Sequence, residues 1–221
     1  TLCEYVGTIR EIIGYEIPLA VDHFGHIAVE DCIRLARSLE KYNLAWLEDM
    51  IPWQYTDQYV RLSNSCATPI CTGEDIYCKE EFVKLFEANA IAICHPDIAT
   101  SGGILETKKI GDLSQGYGIA MAMHMAGTPV CAMASVHCAA ATENFLVLEN
   151  HSVDNPWWDD LVVGLPNPII QGGYIKVPET PGLGIDLNPE VVQQHLHPND
   201  SEYFPSTYEW DSEHSHDRLW S

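Results

Sequence analysis

Three carboxylates recur at a fixed interval along the chain, each where a short apolar run ends: Asp22 in IPLAVDHFGH, Glu48 in LAWLEDM and Glu74 in TPICTGED. Both gaps are 26 residues. That is about the length of one strand, one helix and two loops, so each gap reads as one βα unit. Side chains leaving the carboxyl ends of neighbouring parallel strands point into one shared mouth. Like charges gathered there repel, and a cation is the simplest compensation. Three hard oxygen donors, with no Cys or His at the same interval, favour Mg²⁺ over Zn²⁺.

The interval continues. Asp97 follows Glu74 by 23 residues in HPDIATSGG, His124 follows by 27 in GIAMAMHM, and Glu149 by 25 in FLVLE. Six polar groups thus close six apolar runs, with strands expected at Ile17–Asp22, Leu44–Glu48, Pro69–Glu74, Ile91–Asp97, Ile119–His124 and Phe145–Glu149. Helices are expected over 2–14, 28–42, 55–65, 79–89, 104–116 and 131–143, where apolar residues recur at helical spacing. Alternation of this kind predicts a parallel sheet. After Glu149 the text turns to Trp, Pro and Gly-rich loops, with Gln171–Val177 expected as a strand and Pro181–Gly184 as a tight turn. The expected division is a partial barrel over 1–165 and a returning segment with tail over 166–221.

Asp97 and His124 leave adjacent strands, so a carboxylate can fix the imidazole tautomer and raise its basicity, as a general base requires. His95 falls on the same side as Asp97, where it either lines the mouth or packs. Asp49 and Asp75 each follow a proposed ligand and are expected to orient it by hydrogen bonding. Trp157 and Trp158 are expected to pack loops, and Gly102–Gly103 to make a tight βα turn.

The formal charge of −21, from 32 acidic and 11 basic residues, argues against nucleic acid and anionic membrane surfaces as partners. No apolar run is long enough for a transmembrane helix, and the first residues lack a signal-peptide pattern. Eight cysteines with no C-x-x-C pair read as reduced core thiols, so a cytoplasmic protein is expected.

Taken in order, AWLED with Glu48, TGED with Glu74, PDIATSGGI with Asp97, strand-final His124, AATENFLVLE with Glu149 and the late PGLGIDL resemble the enolase superfamily, in its mandelate racemase-like subgroup. The resemblance covers roughly residues 1–196. It implies an α/β fold, a modified (β/α) TIM-type barrel incomplete at its N-terminus, with a C-terminal return that would contact a lid domain. It implies Mg²⁺ held by Asp22, Glu48 and Glu74, an acid/base dyad of Asp97 and His124, and Glu149, protonated, donating to the substrate carboxylate or the enediolate. A lysine at the position of Asp97 would mark the muconate-lactonizing subgroup, and it is absent.

Two departures matter. The family's lysine base would precede Asp22 by more residues than the sequence holds, so an N-terminally truncated chain, or part of a longer one, is expected. Where relatives carry Asn or His two residues past the first ligand, Phe24 stands, flanked by His23 and His26. The sequence leaves open whether either one takes the substrate-binding place. The expected activity is Mg²⁺-dependent dehydration of a sugar acid to a 2-keto-3-deoxy acid by a homo-oligomer. Racemisation, epimerisation or cycloisomerisation through the same enediolate, and a non-catalytic relative, are the alternatives.

Overall fold

A computed structural model describes residues 1–23 and 27–200. It opens with helix α1 (Leu2–Ile13), which starts in a reciprocal capping box between Thr1 and Glu4 and stops at Gly14, φ 72°. Five strand–helix repeats and a sixth strand follow. They run β1 (Val21–Asp22), α2 (Val29–Leu39), β2 (Leu47–Glu48), α3 (Thr56–Ser63), β3 (Ile70–Thr72), α4 (Cys78–Glu87), β4 (Ile93–Cys94), α5 (Gly103–Gly116), β5 (Ala120–Met123), α6 (Pro129–Ala140) and β6 (Phe145–Leu148). All six strands pair in parallel and in sequence order. The architecture is that of an incomplete (β/α) barrel, and every expected strand and helix of residues 1–149 is present, the strands with shorter bounds and the helices shifted by a few residues at their ends.

Pleating separates two faces. Leu47, Ile70, Cys94, Met121 and Met123 turn to the helices and join one core with Ile33, Ala36 and Leu39 of α2, Tyr59 and Leu62 of α3, and Phe82, Leu85 and Phe86 of α4. Cys71, Ile93 and Ala122 form a smaller apolar layer on the opposite face. Because successive strand residues alternate, Glu48, His95 and His124 share that inner face. Cys32, Cys71, Cys94 and Cys138 are buried, and Cys78 is exposed.

The segment after β6 differs from expectation. Gln171 pairs with Tyr174 around Gly172 and Gly173, both at positive φ, closing a tight turn in place of a strand. The antiparallel ribbon is instead β7 (Val162–Val163) with β8 (Asp186–Leu187), followed by α7 (Pro189–Gln194). A run of β-compatible residues cannot ladder when two glycines take the left-handed region between them. Trp158 ties this segment down: it is buried against Met125, Ala132, Val162 and Ile169, and its indole N–H donates to the Gly127 carbonyl at 2.9 Å. Trp157 stacks on His195. No helix among the described residues is long and apolar enough to cross a membrane.

One buried cation locks α1 to this frame. Arg10 is 4% exposed and donates to four backbone carbonyls: Tyr42 and Asn43 beyond α2, and Gly14 and Ile17 before β1, at 2.7–2.9 Å. A guanidinium meets four carbonyls in this way because its donors form a rigid planar fork. Replacing it with Met keeps the stem but strands those acceptors. Arg10→Met should therefore lower unfolding free energy by about 2–4 kcal/mol, read from urea denaturation, whereas Arg34→Met on the exposed face of α2 should change it by less than about 0.5 kcal/mol.

Candidate active site

Each polar group of the mouth sits at or just past a strand end. Register places Asp22 beside Glu48 across β1 and β2. Glu74 lies two residues past β3, after Gly73 at φ 151°. A side chain at Gly73 would run into the His95 backbone at 2.8 Å, so only glycine lets the chain pass β4 and present Glu74. Asp97 pairs with His124 in an isolated parallel bridge just beyond β4 and β5, and Glu149 follows β6.

The carboxylates feel one another. Burial raises the Glu48 pKa, and Asp22 and Glu149 add to the rise, against lowering by His95 and a hydrogen bond from Trp46. Glu74 is raised by burial, and further by Asp22 and Glu48, while His124 opposes. Asp49 is pushed up to about 7, first by burial and then by Glu48, Glu74 and Asp22. Its carboxylate accepts the Thr72 hydroxyl, so Thr72, and not a proposed ligand, is the partner it shows. Asp75 is exposed.

Three imidazoles answer these carboxylates. His124 Nδ1 lies 2.6 Å from Asp97 Oδ2, and its Nε2 lies 3.0 Å from Glu74 Oε2 and 3.7 Å from Glu149 Oε2. Burial works against the charge on His124, yet Asp97, Glu74 and Glu149 lift its pKa to about 9. Asp97 is held low, its burial outweighed by His124 and the Ala99 amide. His95 is 2% exposed. Its Nε2 lies 3.2 Å from Glu48 Oε1 and 3.3 Å from Glu149 Oε2, and its Nδ1 lies 3.1 Å from the Ala122 carbonyl. It therefore bridges two carboxylates beneath the mouth. Its parity was legible; its burial came from the layer of strands around it.

At Glu149 burial favours the acid, but His95, whose Nε2 lies 3.3 Å from Oε2, and the charges of His124 and His151 outweigh it and bring the pKa to about 2. His151, which the motif reading missed, is exposed and lies 2.7 Å through Nε2 from Glu149 Oε1. Its only signal in the sequence is its place two residues after a strand-final glutamate.

Asp22, Glu48 and Glu74 are brought to one end of three adjacent strands, but their oxygens do not form a close triad here. Glu48 turns to His95 and Glu74 to His124. Among the described residues the close groupings of possible ligand atoms are Glu48–Cys71–His95, His124–Glu149–His151 and Cys78–Glu80–Glu106. His23 is half-buried and extends the β1–β2 ladder through its amide to the Glu48 carbonyl at 3.1 Å. His26 lies outside the described residues.

A family model described as enolase C-terminal domain-like matches residues 2–191. The chain is 39% identical over 193 residues to the D-xylonate dehydratase of Haloferax volcanii, an alignment covering 87% of this chain and 46% of that one. A mandelate racemase/muconate lactonizing enzyme-like protein from Rubrobacter xylanophilus superposes with TM-score 0.86 at 38% identity, over 89% of this chain and 50% of that one. The 3,6-anhydro-D-galactonate cycloisomerase from Zobellia galactanivorans superposes with TM-score 0.80 at 31% identity, over 88% and 55%. The chain spans about half the length of the curated relatives it matches.

Because the folded pKa of His124, about 9, lies above its ordinary 6.5, its contribution to stability is complete below the lower value and is lost as pH rises through the upper one. Asp49, raised from 3.8 to about 7, loses stability over a lower window. Urea midpoints taken with chelator should therefore fall between pH 6.5 and about 9. Asp97→Asn should flatten that limb and move the His124 NMR titration down toward 6.5.

Proposed function

The chain belongs to the enolase C-terminal domain-like family, and from that membership we propose that it is the catalytic part of a Mg²⁺-dependent sugar-acid dehydratase. The observation that carries the reading is the Asp97–His124 pair. Its Nδ1 contact of 2.6 Å leaves Nε2 directed among Glu74 and Glu149, partly accessible and anchored from behind by a carboxylate.

The donor set fits the ion. Asp22, Glu48 and Glu74 are hard oxygen donors at the ends of three consecutive strands, and Glu48 and Glu74 are raised first by burial and then by neighbouring carboxylates, as a buried anionic cluster is. These three residues would hold Mg²⁺, which when bound supplies positive charge against the negative charge that develops on a substrate carboxylate.

The chain's own groups then account for proton transfer. Neutral His124 takes the α-proton on Nε2 while Asp97 keeps Nδ1–H in place. The electrons of that C–H bond form the enediolate, then the C2–C3 double bond, and expel the β-hydroxyl. His124 returns its proton to that hydroxyl, water leaves, and the enol becomes a 2-keto-3-deoxy acid. With one imidazole serving both steps, the proton and the hydroxyl leave from the same face. Glu149, held as an anion, accepts a substrate hydroxyl in place of the donor role expected of it. His95 keeps Glu48 and Glu149 in register below.

A second reading keeps the proton abstraction and changes the outcome to isomerisation; the likeness to the cycloisomerase favours it. The test incubates the full-length protein with Mg²⁺ and a panel of aldonic and aldaric acids that begins with D-xylonate. Semicarbazide-reactive ketoacid is expected, with His124→Asn lowering kcat on the order of 10²–10⁴-fold and chelator abolishing turnover. Exchange of the α-proton with D₂O without ketoacid would establish the isomerase instead. No exchange with any acid would leave a non-catalytic relative.

A further inference from the structure

We propose that His124, Glu149 and His151 form a second, softer metal site that takes Zn²⁺ or a chemically similar transition-metal ion, distinct from the oxygen-donor set of Asp22, Glu48 and Glu74. One ligand atom from each of the three lies within 4.8 Å of the other two. His151 Nε2 is 2.7 Å from Glu149 Oε1, His124 Nε2 is 3.7 Å from Glu149 Oε2, and the two rings are 5.8 Å apart between centroids. Two imidazole nitrogens and one carboxylate oxygen form a donor set suited to Zn²⁺ and poorly suited to Mg²⁺.

The orientation favours ligation as well. Asp97 holds Nδ1 of His124 at 2.6 Å, which fixes the tautomer that offers the Nε2 lone pair, the arrangement by which a carboxylate supports a metal-bound histidine. His151 is exposed while His124 and Glu149 are partly buried, so an ion can arrive from solvent through His151 and settle between the other two. The two other close groupings are weaker. All of Glu48, Cys71 and His95 are buried, with the Cys71 thiol driven well above its usual range. Cys78 and Glu80 of the third grouping are both exposed on α4, with Glu106 reaching from α5.

Occupation would take the lone pair that proton abstraction needs, so Zn²⁺ should inhibit turnover; this consequence alone rests on the proposed reaction. The binding claim is tested on the full-length protein in a large excess of Mg²⁺, by calorimetric titration with Zn²⁺ and by the visible absorption of Co²⁺ in its place. One Zn²⁺ per chain is expected in addition to Mg²⁺. Asp97→Asn should weaken it about 10–100-fold, His151→Asn by more than that, and Asp22→Asn by less than about threefold, since Asp22 supplies no atom to the grouping. Thermal melts should confirm that exposed His151→Asn folds as the parent does. No Zn²⁺ uptake above excess Mg²⁺ overturns the proposal. So does a His151→Asn protein that binds as the parent, or an Asp22→Asn protein that loses Zn²⁺ as fully as His151→Asn, since the ion would then occupy the carboxylate set.

Discussion

Anions gathered at one end of a parallel sheet repel, and the mouth of this protein is organised by what answers that repulsion. Burial and then the neighbouring carboxylates raise Glu48, Asp49 and Glu74, and His95 and His124 each span a pair of carboxylates or more. His95 joins Glu48 to Glu149, and His124 joins Asp97 to Glu74. The result is a chain of alternating charge running from the end of β2 to the end of β6. Removing any positive member would leave a buried carboxylate uncompensated, the situation in which broken ion pairs cost most.

Such a mouth requires a frame that does not yield. The inner face carries small apolar residues, Cys71, Ile93 and Ala122, beneath the polar groups, while the outer face carries the large ones that pack the helices. Gly73 allows β3 to hand the chain past His95 to Glu74. Arg10 fixes the ends of α1 and α2 through four carbonyls, so that β1 and its Asp22 stay in register with Glu48.

Charge balance also governs Glu149 and His95 at this end. Three imidazoles surround Glu149, and that company holds its carboxyl low. For His95, strand parity gives the face but not the depth, and at the depth of Ala122 and Cys71 its ring is met by the Glu48 and Glu149 carboxylates and the Ala122 carbonyl.

By itself the sequence determined the order of the six strands, their parallel pairing and the polar residue that closes each one. Those follow from local rules: apolar runs of strand length, helical spacing between them, and alternation within each strand. The Asp97–His124 contact was legible for the same reason, since adjacent parallel strands bring equivalent ends together. Only the tertiary structure decided which oxygen faces which nitrogen, that Glu149 is an anion, that His151 folds back onto it, and that Gln171–Val177 turns where a strand was expected. Protonation and side-chain pairing depend on burial and on charges from strands distant in sequence, and neither quantity is written in any one stretch of the chain.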